Sequence, residues 1–305
     1  MEKYSLSDEI KRLAKLSGID AIGFANASEF STYLLNEHPR RNPRLTLPGA
    51  KSIVVAGIYI GSVTMSQWGS RWYGRLSRLY LSDFFLDVVK PLQPISDYLE
   101  TKGYQAIVCD GSIIGGSVIP LKLAAIRAGL GWQGKHSLLI SKKFGTFLAL
   151  GGTITDADLN HNVVEEQDRC RNCDKCQIAC PMAALDQPYV LNFRKCLSYQ
   201  LQEDGLSKEA KAAMGNRIGD CEICQDACPW NRKHIKSPLV TKMTDHFQKK
   251  IEKWRDTFYL PKLMELSESE YEKMFSHLNT GVSYDLFHRN VLIALEKAEG
   301  ALDKP

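Results

Sequence analysis

The spacing of apolar residues changes repeatedly along the first half of the chain. Residues 5–18 carry apolar side chains at helical intervals, and Gly18 is a good stop for that helix. Residues 52–60 instead form an unbroken apolar run, which predicts a central strand buried on both faces. Helices alternate with strands without regular βαβ spacing, so we predict an α+β fold. Further helices are predicted over 28–36, 83–102 and 120–128, and strands over 21–25, 104–109, 138–140 and 146–155.

The second half of the chain has a different pattern. After Asp168 the long apolar periodicity stops and cysteines dominate up to about Trp230. Helical periodicity returns at 267–277 and again near 287–298. We therefore predict three parts: an α+β domain over 1–160, a cysteine-bearing module over 161–235, and a helical tail over 236–305 that packs on the core.

Composition narrows the class of protein. The 305 residues are 44% hydrophobic and 24% charged, with a net charge of +4, as in ordinary globular proteins. No window approaches the roughly 20 apolar residues of a membrane span, and no secretory h-region is evident. We expect a protein of the cytoplasm with no membrane partner.

Eight of the nine cysteines lie between Cys170 and Cys228, and their spacing is distinctive. The first run follows the bacterial ferredoxin pattern, in which the cysteine before a proline ligates the other of two clusters. That crossing predicts two 4Fe–4S clusters. Cluster one takes Cys170, Cys173, Cys176 and Cys228, whereas cluster two takes Cys180, Cys196, Cys221 and Cys224.

Cys196 is assigned because the symmetric ferredoxin position, three residues before Cys221, is occupied by Ile218. Zinc is the main alternative, because paired cysteines also suit zinc. Disulfides would need an oxidising compartment, which nothing in the sequence suggests. Cys109 stands alone in an apolar run and is given no role, as expected of a small buried side chain.

Three other stretches contain residues that could bind a ligand or a partner. Residues 61–82 interleave aromatic and arginine side chains, which could stack on a planar ligand or bases, or could simply pack on the surface. The glycine-rich segment 129–137 permits close backbone approach to a ligand but fits neither nucleotide fingerprint. Residues 231–253 are basic, and a solvated face is their commoner explanation.

Several of these motifs together resemble the epoxyqueuosine reductase family. The likeness begins with Pro48-Gly49-Ala50-Lys51-Ser52 and continues through the segment Ala128–Leu139, the eight cysteines and Cys228-Pro229-Trp230-Asn231. It extends through Cys196-Leu197-Ser198-Tyr199 to the tail and covers nearly the whole chain. The related reductive dehalogenases share the AGLG segment, and Ile119-Pro120-x-Lys122 looks more like theirs.

The resemblance implies a cobalamin-dependent iron–sulfur oxidoreductase that acts on a modified base of tRNA in queuosine synthesis. Its first domain would have a nitroreductase-like fold and bind cobalamin, and its ferredoxin-like module would pass electrons from an external low-potential donor to cobalt. No other protein partner is predicted. The implied cofactor-binding residues are Gly129, Leu130, Gly131, Trp132, Gly134, Lys135, His136 and Ser137.

The sequence departs from the family pattern in three places. Gly115 occupies the position of the family's acidic proton donor, so we consider Asp110, Tyr73 and Tyr80 as donors. The segment before the predicted helix 83–102 also differs, reading Leu81-Ser82-Asp83-Phe84-Phe85. The chain ends where the family's tRNA-holding helical repeats would continue.

Two other functions are compatible with the same residues. A corrinoid reductase could act on a small organic or halogenated molecule, and the short tail favours this reading. A two-cluster electron-transfer protein would need no corrinoid at all. The glycine-rich segment argues against the second alternative, because a carrier has no need of a glycine-lined ligand surface.

Overall fold

The computed structural model describes residues 5–31, 42–82, 85–109, 119–161, 166–275 and 282–300. Most of the helix predicted over 28–36 lies outside this part of the chain. The turn that contains Asp110 and Gly115 lies outside it as well. The remaining predicted elements can therefore be compared with the structure, and the account below is restricted to the described residues.

A four-stranded antiparallel sheet forms the centre of the first part of the chain. Its strand order is β1-β2-β6-β3, and β2 pairs along its full length with β6, so that Val54 faces Thr153 across the ladder. Every residue of these two strands is buried, as the unbroken apolar run of β2 predicts. A two-stranded ribbon, β4-β5, stands apart from the sheet. The strands are β1 Ala21–Asn26, β2 Ser52–Tyr59, β3 Ala106–Cys109, β4 Trp132–Gln133, β5 Leu139–Ile140 and β6 Leu148–Thr155.

Helices cover both faces of the sheet, and strand alternation divides the side chains between them. Val54 and Ala56 point to the face covered by the first and third helices, where they meet Ile10 and Leu99. Ile53 and Val55 point to the opposite face and join a second cluster with Ala124 and its neighbours. The α+β prediction is confirmed by this arrangement of helices against an antiparallel sheet.

The helix predicted over 83–102 is not continuous. It begins as a π-helical turn, Phe85–Val89, tightens through a 3₁₀ turn, Lys90–Leu92, and becomes α-helical only from Gln93. Pro91 and Pro94 lack the N–H that a regular helix interior requires, so the α-helix starts beside them. No helix in the described ranges is long and apolar enough to cross a membrane. The α-helices are α1 Leu6–Leu16, α2 Arg78–Leu81, α3 Gln93–Thr101, α4 Leu121–Arg127, α5 Lys175–Ala179, α6 Leu197–Gln200, α7 Lys208–Ala213, α8 Ile223–Asp226, α9 Arg232–Lys236, α10 Thr244–Lys253, α11 Leu260–Met264, α12 Glu268–Phe275 and α13 Tyr284–Gly300.

The three predicted parts share one continuous core. The largest buried cluster includes Val55 of the sheet, Leu201 of the cysteine-bearing module and Phe287 of the tail. The tail is also held by a buried carboxylate, because Asp87 accepts hydrogen bonds from His246 and Lys250 of α10, each at 2.7 Å. The tail therefore packs directly against the first part of the chain as well as contributing to the shared core.

Candidate functional site

Four thiols surround one cavity of about 160 Å³ in the cysteine-bearing module. Cys170 and Cys173 lie on the loop before α5, and Cys176 lies within that helix. Cys228 follows α8, which packs against α5, and so completes the set from the second cysteine run. The structure thus brings together the four cysteines that the spacing assigned to cluster one. The cavity is lined by Lys135, His136, Ile140, Arg169, Cys170, Cys173, Cys176, Cys228, Pro229 and Trp230.

The other four thiols lie close to one another in a second group. Burial raises the pKa of Cys224 well above its ordinary value, and the charges of Cys221, Cys196 and Cys180 raise it further. Burial likewise raises the pKa of Cys196, while the backbone N–H groups of Ser198 and Tyr199 at the start of α6 oppose that rise. Because such interactions require proximity, these four cysteines lie near one another, and Cys176 of the first group is also close enough to raise the pKa of Cys224.

The two Cys-Pro steps explain how each run reaches both groups. Cys180 follows α5 with φ −70° and ψ 111°, and Cys228 precedes the next helical turn with φ −68° and ψ 125°. Both are extended, as the residue before a proline usually is. α5 therefore ends immediately before Cys180, α8 ends two residues before Cys228, and each of these cysteines stands on extended backbone outside its helix.

The chemistry of these thiols suits a polynuclear metal cluster. A buried thiol with a raised pKa stays protonated until a metal binds and displaces the proton. Among the described residues, no group of three or more His, Cys, Asp or Glu side chains is arranged to hold a single metal ion. The first group instead encloses a volume, with its four sulfur ligands on the wall. A 4Fe–4S cluster held by four thiolates fits this arrangement.

The glycine-rich segment turns sharply beside the first thiol group. Gly129, with φ 73°, ends α4, and Gly131 lies directly against the neighbouring ribbon strand. A Cβ on Gly131 would stand 2.1 Å from the Ile140 carbonyl oxygen. This close approach lets Trp132 enter the interior, where it packs edge-on against Trp230 with ring centroids 4.7 Å apart.

Gly131→Ala should destabilise the protein by about 1–3 kcal/mol, because the added methyl group must displace the backbone of β5. The loss should appear as a lower thermal midpoint of the cluster-loaded protein, measured without oxygen. Gly205→Ala is the matched control, because a Cβ there has no atom within 4 Å. Equal midpoints for the two variants would contradict the close packing inferred at Gly131.

Part of the predicted cofactor-binding segment faces the first thiol group. Lys135 and His136 line its cavity, and Lys135 also donates a hydrogen bond from Nζ to the Arg171 carbonyl at 2.7 Å. Burial, together with the charge of Lys122, lowers the pKa of His136 to about 4, so this imidazole is neutral. Its Nδ1 accepts the Leu138 N–H at 3.2 Å. The family resemblance associated this segment with cobalamin. The sequence did not indicate that Lys135 and His136 also face the first group of cysteines.

Lys122 is a cation beside the second thiol group. Its side chain is accessible to solvent, yet the surrounding protein desolvates the ammonium and lowers its pKa, while Cys196 and Cys224 act in the opposite direction. The effect of these thiols on its pKa indicates that Lys122 lies within electrostatic range of Cys196 and Cys224. In the sequence, Lys122 stands out only as a point of likeness to the reductive dehalogenases. A lysine at the start of a helix does not indicate that it lies near the cysteines.

The three candidate proton donors differ in where the structure places them. Asp110 lies outside the described residues. Tyr73 packs against Tyr259 of the tail, with ring centroids 5.4 Å apart. The Tyr80 hydroxyl accepts a hydrogen bond from Gln202 at 2.8 Å, and burial raises the pKa of this phenol far above its ordinary value. Both tyrosines therefore make packing contacts at the junction with the module and the tail, and the donor stays a prediction.

Two arginines of the aromatic stretch make ion pairs that the sequence did not reveal, and the pair of Arg78 is buried. Arg75 donates to Asp226 at 2.6 Å, and Arg78 donates to Glu222 at 2.8 Å. Both guanidinium groups also stack on Trp68, at 4.7 and 5.3 Å from its centroid. Of the two alternatives for residues 61–82, this geometry supports packing. Acidic residues between ligating cysteines were the only signal that could have pointed to the pairing.

The sequence around this site, and most of the chain, is similar to that of known proteins. The family described as a 4Fe–4S double cluster binding domain matches residues 169–231. The epoxyqueuosine reductase of Lactococcus garvieae (strain Lg2) is 30% identical over 96% of this chain and 87% of its own length. That of Synechococcus sp. (strain CC9605) is 29% identical over 85% of this chain and 88% of its own.

Solved structures give the same picture. A selenomethionine-labelled epoxyqueuosine reductase superposes with a TM-score of 0.83 at 26% identity, covering 97% of this chain and 83% of that one. An epoxyqueuosine reductase bound to an epoxyqueuosine-modified tRNA-Tyr stem loop gives 0.81 at 25% identity, with coverage of 97% and 82%. A reductive dehalogenase gives 0.54 at 18% identity, covering 85% of this chain and 38% of that chain, which is a likeness of fold alone.

Proposed function

The chain belongs to the epoxyqueuosine reductase family, and we propose that it reduces epoxyqueuosine to queuosine in tRNA, using two 4Fe–4S clusters and cobalamin. The observation that carries the proposal is the set of four thiols around one cavity whose wall also includes Lys135 and His136 of the glycine-rich segment. An iron–sulfur electron store thus adjoins the segment that the family likeness associates with the second cofactor.

We assign the clusters as the spacing predicts. Cluster one is held by Cys170, Cys173, Cys176 and Cys228, and cluster two by Cys180, Cys196, Cys221 and Cys224. The support is the shared cavity of the first set and the mutual charge interactions of the second. Thiolate-bound clusters reach low potentials and transfer one electron at a time, as the reduction of a corrinoid requires.

We assign the corrinoid to the first domain, residues 1–160, which we regard as nitroreductase-like. Lys122, an exposed residue within electrostatic range of Cys196 and Cys224, supports a cofactor position next to the second cluster. When bound there, the corrinoid would supply a strongly reducing cobalt centre. The assignment of residues 129–137 to the corrinoid rests on the family likeness, because Gly131 and Gly134 are packed against Ile140 of β5.

The remaining assignments complete the proposal. Asp110 is our first choice of proton donor, with Tyr73 and Tyr80 behind it because of their packing contacts. The module extends over 161–235 and the tail over 236–305, and the buried cluster shared by all three parts supports their working as one body. The enzyme would act in the cytoplasm, where tRNA is modified.

The test is anaerobic reconstitution with iron, sulfide and cobalamin, followed by incubation with a chemical reductant and an epoxyqueuosine-bearing tRNA stem loop. We expect the corrin spectrum to shift to the base-off form and the modified nucleoside to lose one oxygen by mass spectrometry. Asp110→Ala should abolish turnover while the spectrum still shifts. Asp158→Ala, a substitution at a carboxylate 78% exposed, is its control.

Each alternative gives a different result. A fully iron-loaded protein that leaves the corrin spectrum unchanged would be an electron carrier, and the proposal would fail. A spectral shift with turnover of a small halide but none of the stem loop would instead identify a small-molecule corrinoid reductase. Equal activity of the Asp110→Ala and wild-type proteins would overturn the choice of acid alone.

A further inference from the structure

A surface groove adjoins the first thiol cavity. It encloses about 520 Å³ and is open to solvent, and Pro229 and Trp230 form part of its wall. The same two residues also line the cavity of the first thiol group. Trp230 therefore stands between the outside of the protein and the position of cluster one. The groove is lined by Pro229, Trp230, Arg232, Lys233 and Lys236.

The groove is positively charged, and its charged side chains are free to contact a partner. Arg232, Lys233 and Lys236 are exposed on α9, and none of them forms an ion pair or side-chain hydrogen bond with another residue of the described ranges. Other lysines of the same basic stretch are engaged, since Lys250 pairs with the buried Asp87 and Lys242 bonds to the Leu16 carbonyl. The basic stretch thus separates into a part that holds the tail and a part that faces solvent.

Apolar side chains accompany these charges. Ile235, on the same helix, is 42% exposed, and Val240, shortly after it, is 87% exposed. Apolar groups beside unpaired charges are typical of surfaces that bind other proteins, in which charge guides the encounter and apolar contact holds the complex. A groove that serves only the phosphates of RNA has less need of exposed aliphatic side chains.

We propose that this groove docks an acidic electron-donor protein, which reduces cluster one past Trp230. The inference rests on the proposed function, because that reaction consumes two electrons that the chain does not itself produce. In each encounter the reduced cofactor of the donor is oxidised by one electron and cluster one is reduced by one, with no bond made or broken. Two encounters supply the reduction of one substrate.

The experiment uses the cluster-loaded protein without cobalamin and without tRNA, so that its outcome does not depend on the final reaction. A strongly acidic flavodoxin in its hydroquinone form is the probe, and cluster reduction is followed anaerobically by stopped-flow absorbance over a range of salt. The triple variant Arg232→Glu, Lys233→Glu, Lys236→Glu should react at least about tenfold more slowly at low salt, with most of the salt dependence lost.

Two controls separate docking from other effects. The variant Lys208→Glu, Lys211→Glu, Lys273→Glu changes the net charge equally at exposed positions outside the groove and should react as the wild type does. Dithionite, a small reductant, should reduce all three proteins at the same rate, and iron content should be unchanged. Equal flavodoxin rates in the two triple variants would overturn the proposal. So would a selective loss of stem-loop affinity with an unchanged flavodoxin rate, which would assign the groove to RNA.

Discussion

Cys196→Ala should reduce the iron content of the anaerobically purified protein from about eight to about four atoms per chain. Cys196 precedes α6 and lies near Cys180, Cys221 and Cys224, so its loss leaves three ligands for cluster two. It takes no part in the cavity of the first group, which should keep its cluster. Visible absorption should fall by about half, and turnover of the stem loop should cease because the electron path is broken.

Cys109→Ala is the matched control for that result. Cys109 is also a reduced cysteine, but it is buried on β3 in the sheet, where its thiol donates to the Ile107 carbonyl. The variant should retain about eight irons, as two 4Fe–4S clusters require. If Cys196→Ala kept its full iron content, or if the Cys109 variant lost half of it, the assignment of the eight ligands would be wrong.

Arg78→Met should destabilise the cluster-loaded protein by about 3–5 kcal/mol, because it leaves the partner carboxylates with too little positive charge in the interior. Arg78 and Glu222 are each 3% exposed, and the guanidinium group also lies 4.3 Å from the centroid of Phe147. Burial raises the pKa of Glu222, and Arg78 is the chief opposing influence. A thermal midpoint lower by roughly 6–20 °C is expected for a protein of this size.

Arg71→Met provides the comparison, because Arg71 is exposed and its guanidinium group lies 5.8 Å from the ring centroid of Trp72. It should change stability by no more than about 0.5 kcal/mol. Midpoints of both variants would be measured by differential scanning fluorimetry in the absence of oxygen. A fall of similar size in both would show that the burial of the Arg78 pair contributes nothing beyond ordinary surface charge.

Local signals in the sequence predicted most of the individual elements. The apolar run of β2 and the glycine that ends α4 depend only on neighbouring residues, and both appear where expected. The cysteine spacing likewise predicted the four thiols that line the first cavity, because the ferredoxin pattern pairs each run with the last cysteine of the other. The helix predicted over 83–102 is α-helical only from Gln93, and no local signal in the sequence indicated its π-helical turn.

Contacts between distant segments could not be predicted in this way. Arg78 and Glu222 are 144 residues apart, and neither shows locally that the other is its partner. The same holds for Lys122, whose place beside Cys196 depends on how α4 packs against the module. The strand order is also non-local, since β6 inserts between β2 and β3. In each case tertiary packing decides the neighbour, whereas sequence periodicity reports only the face that is buried.

The crossed placement of Cys228 has a consequence for how the enzyme is made. Three thiols of the first cavity belong to the first cysteine run and are synthesised early. The fourth, Cys228, belongs to the second run and is synthesised later. A nascent chain therefore cannot close either cubane until both runs have been translated and α5 has met α8. Iron loading must follow synthesis of the whole module, and during that interval eight thiols await metal and depend on a reducing cell to stay competent.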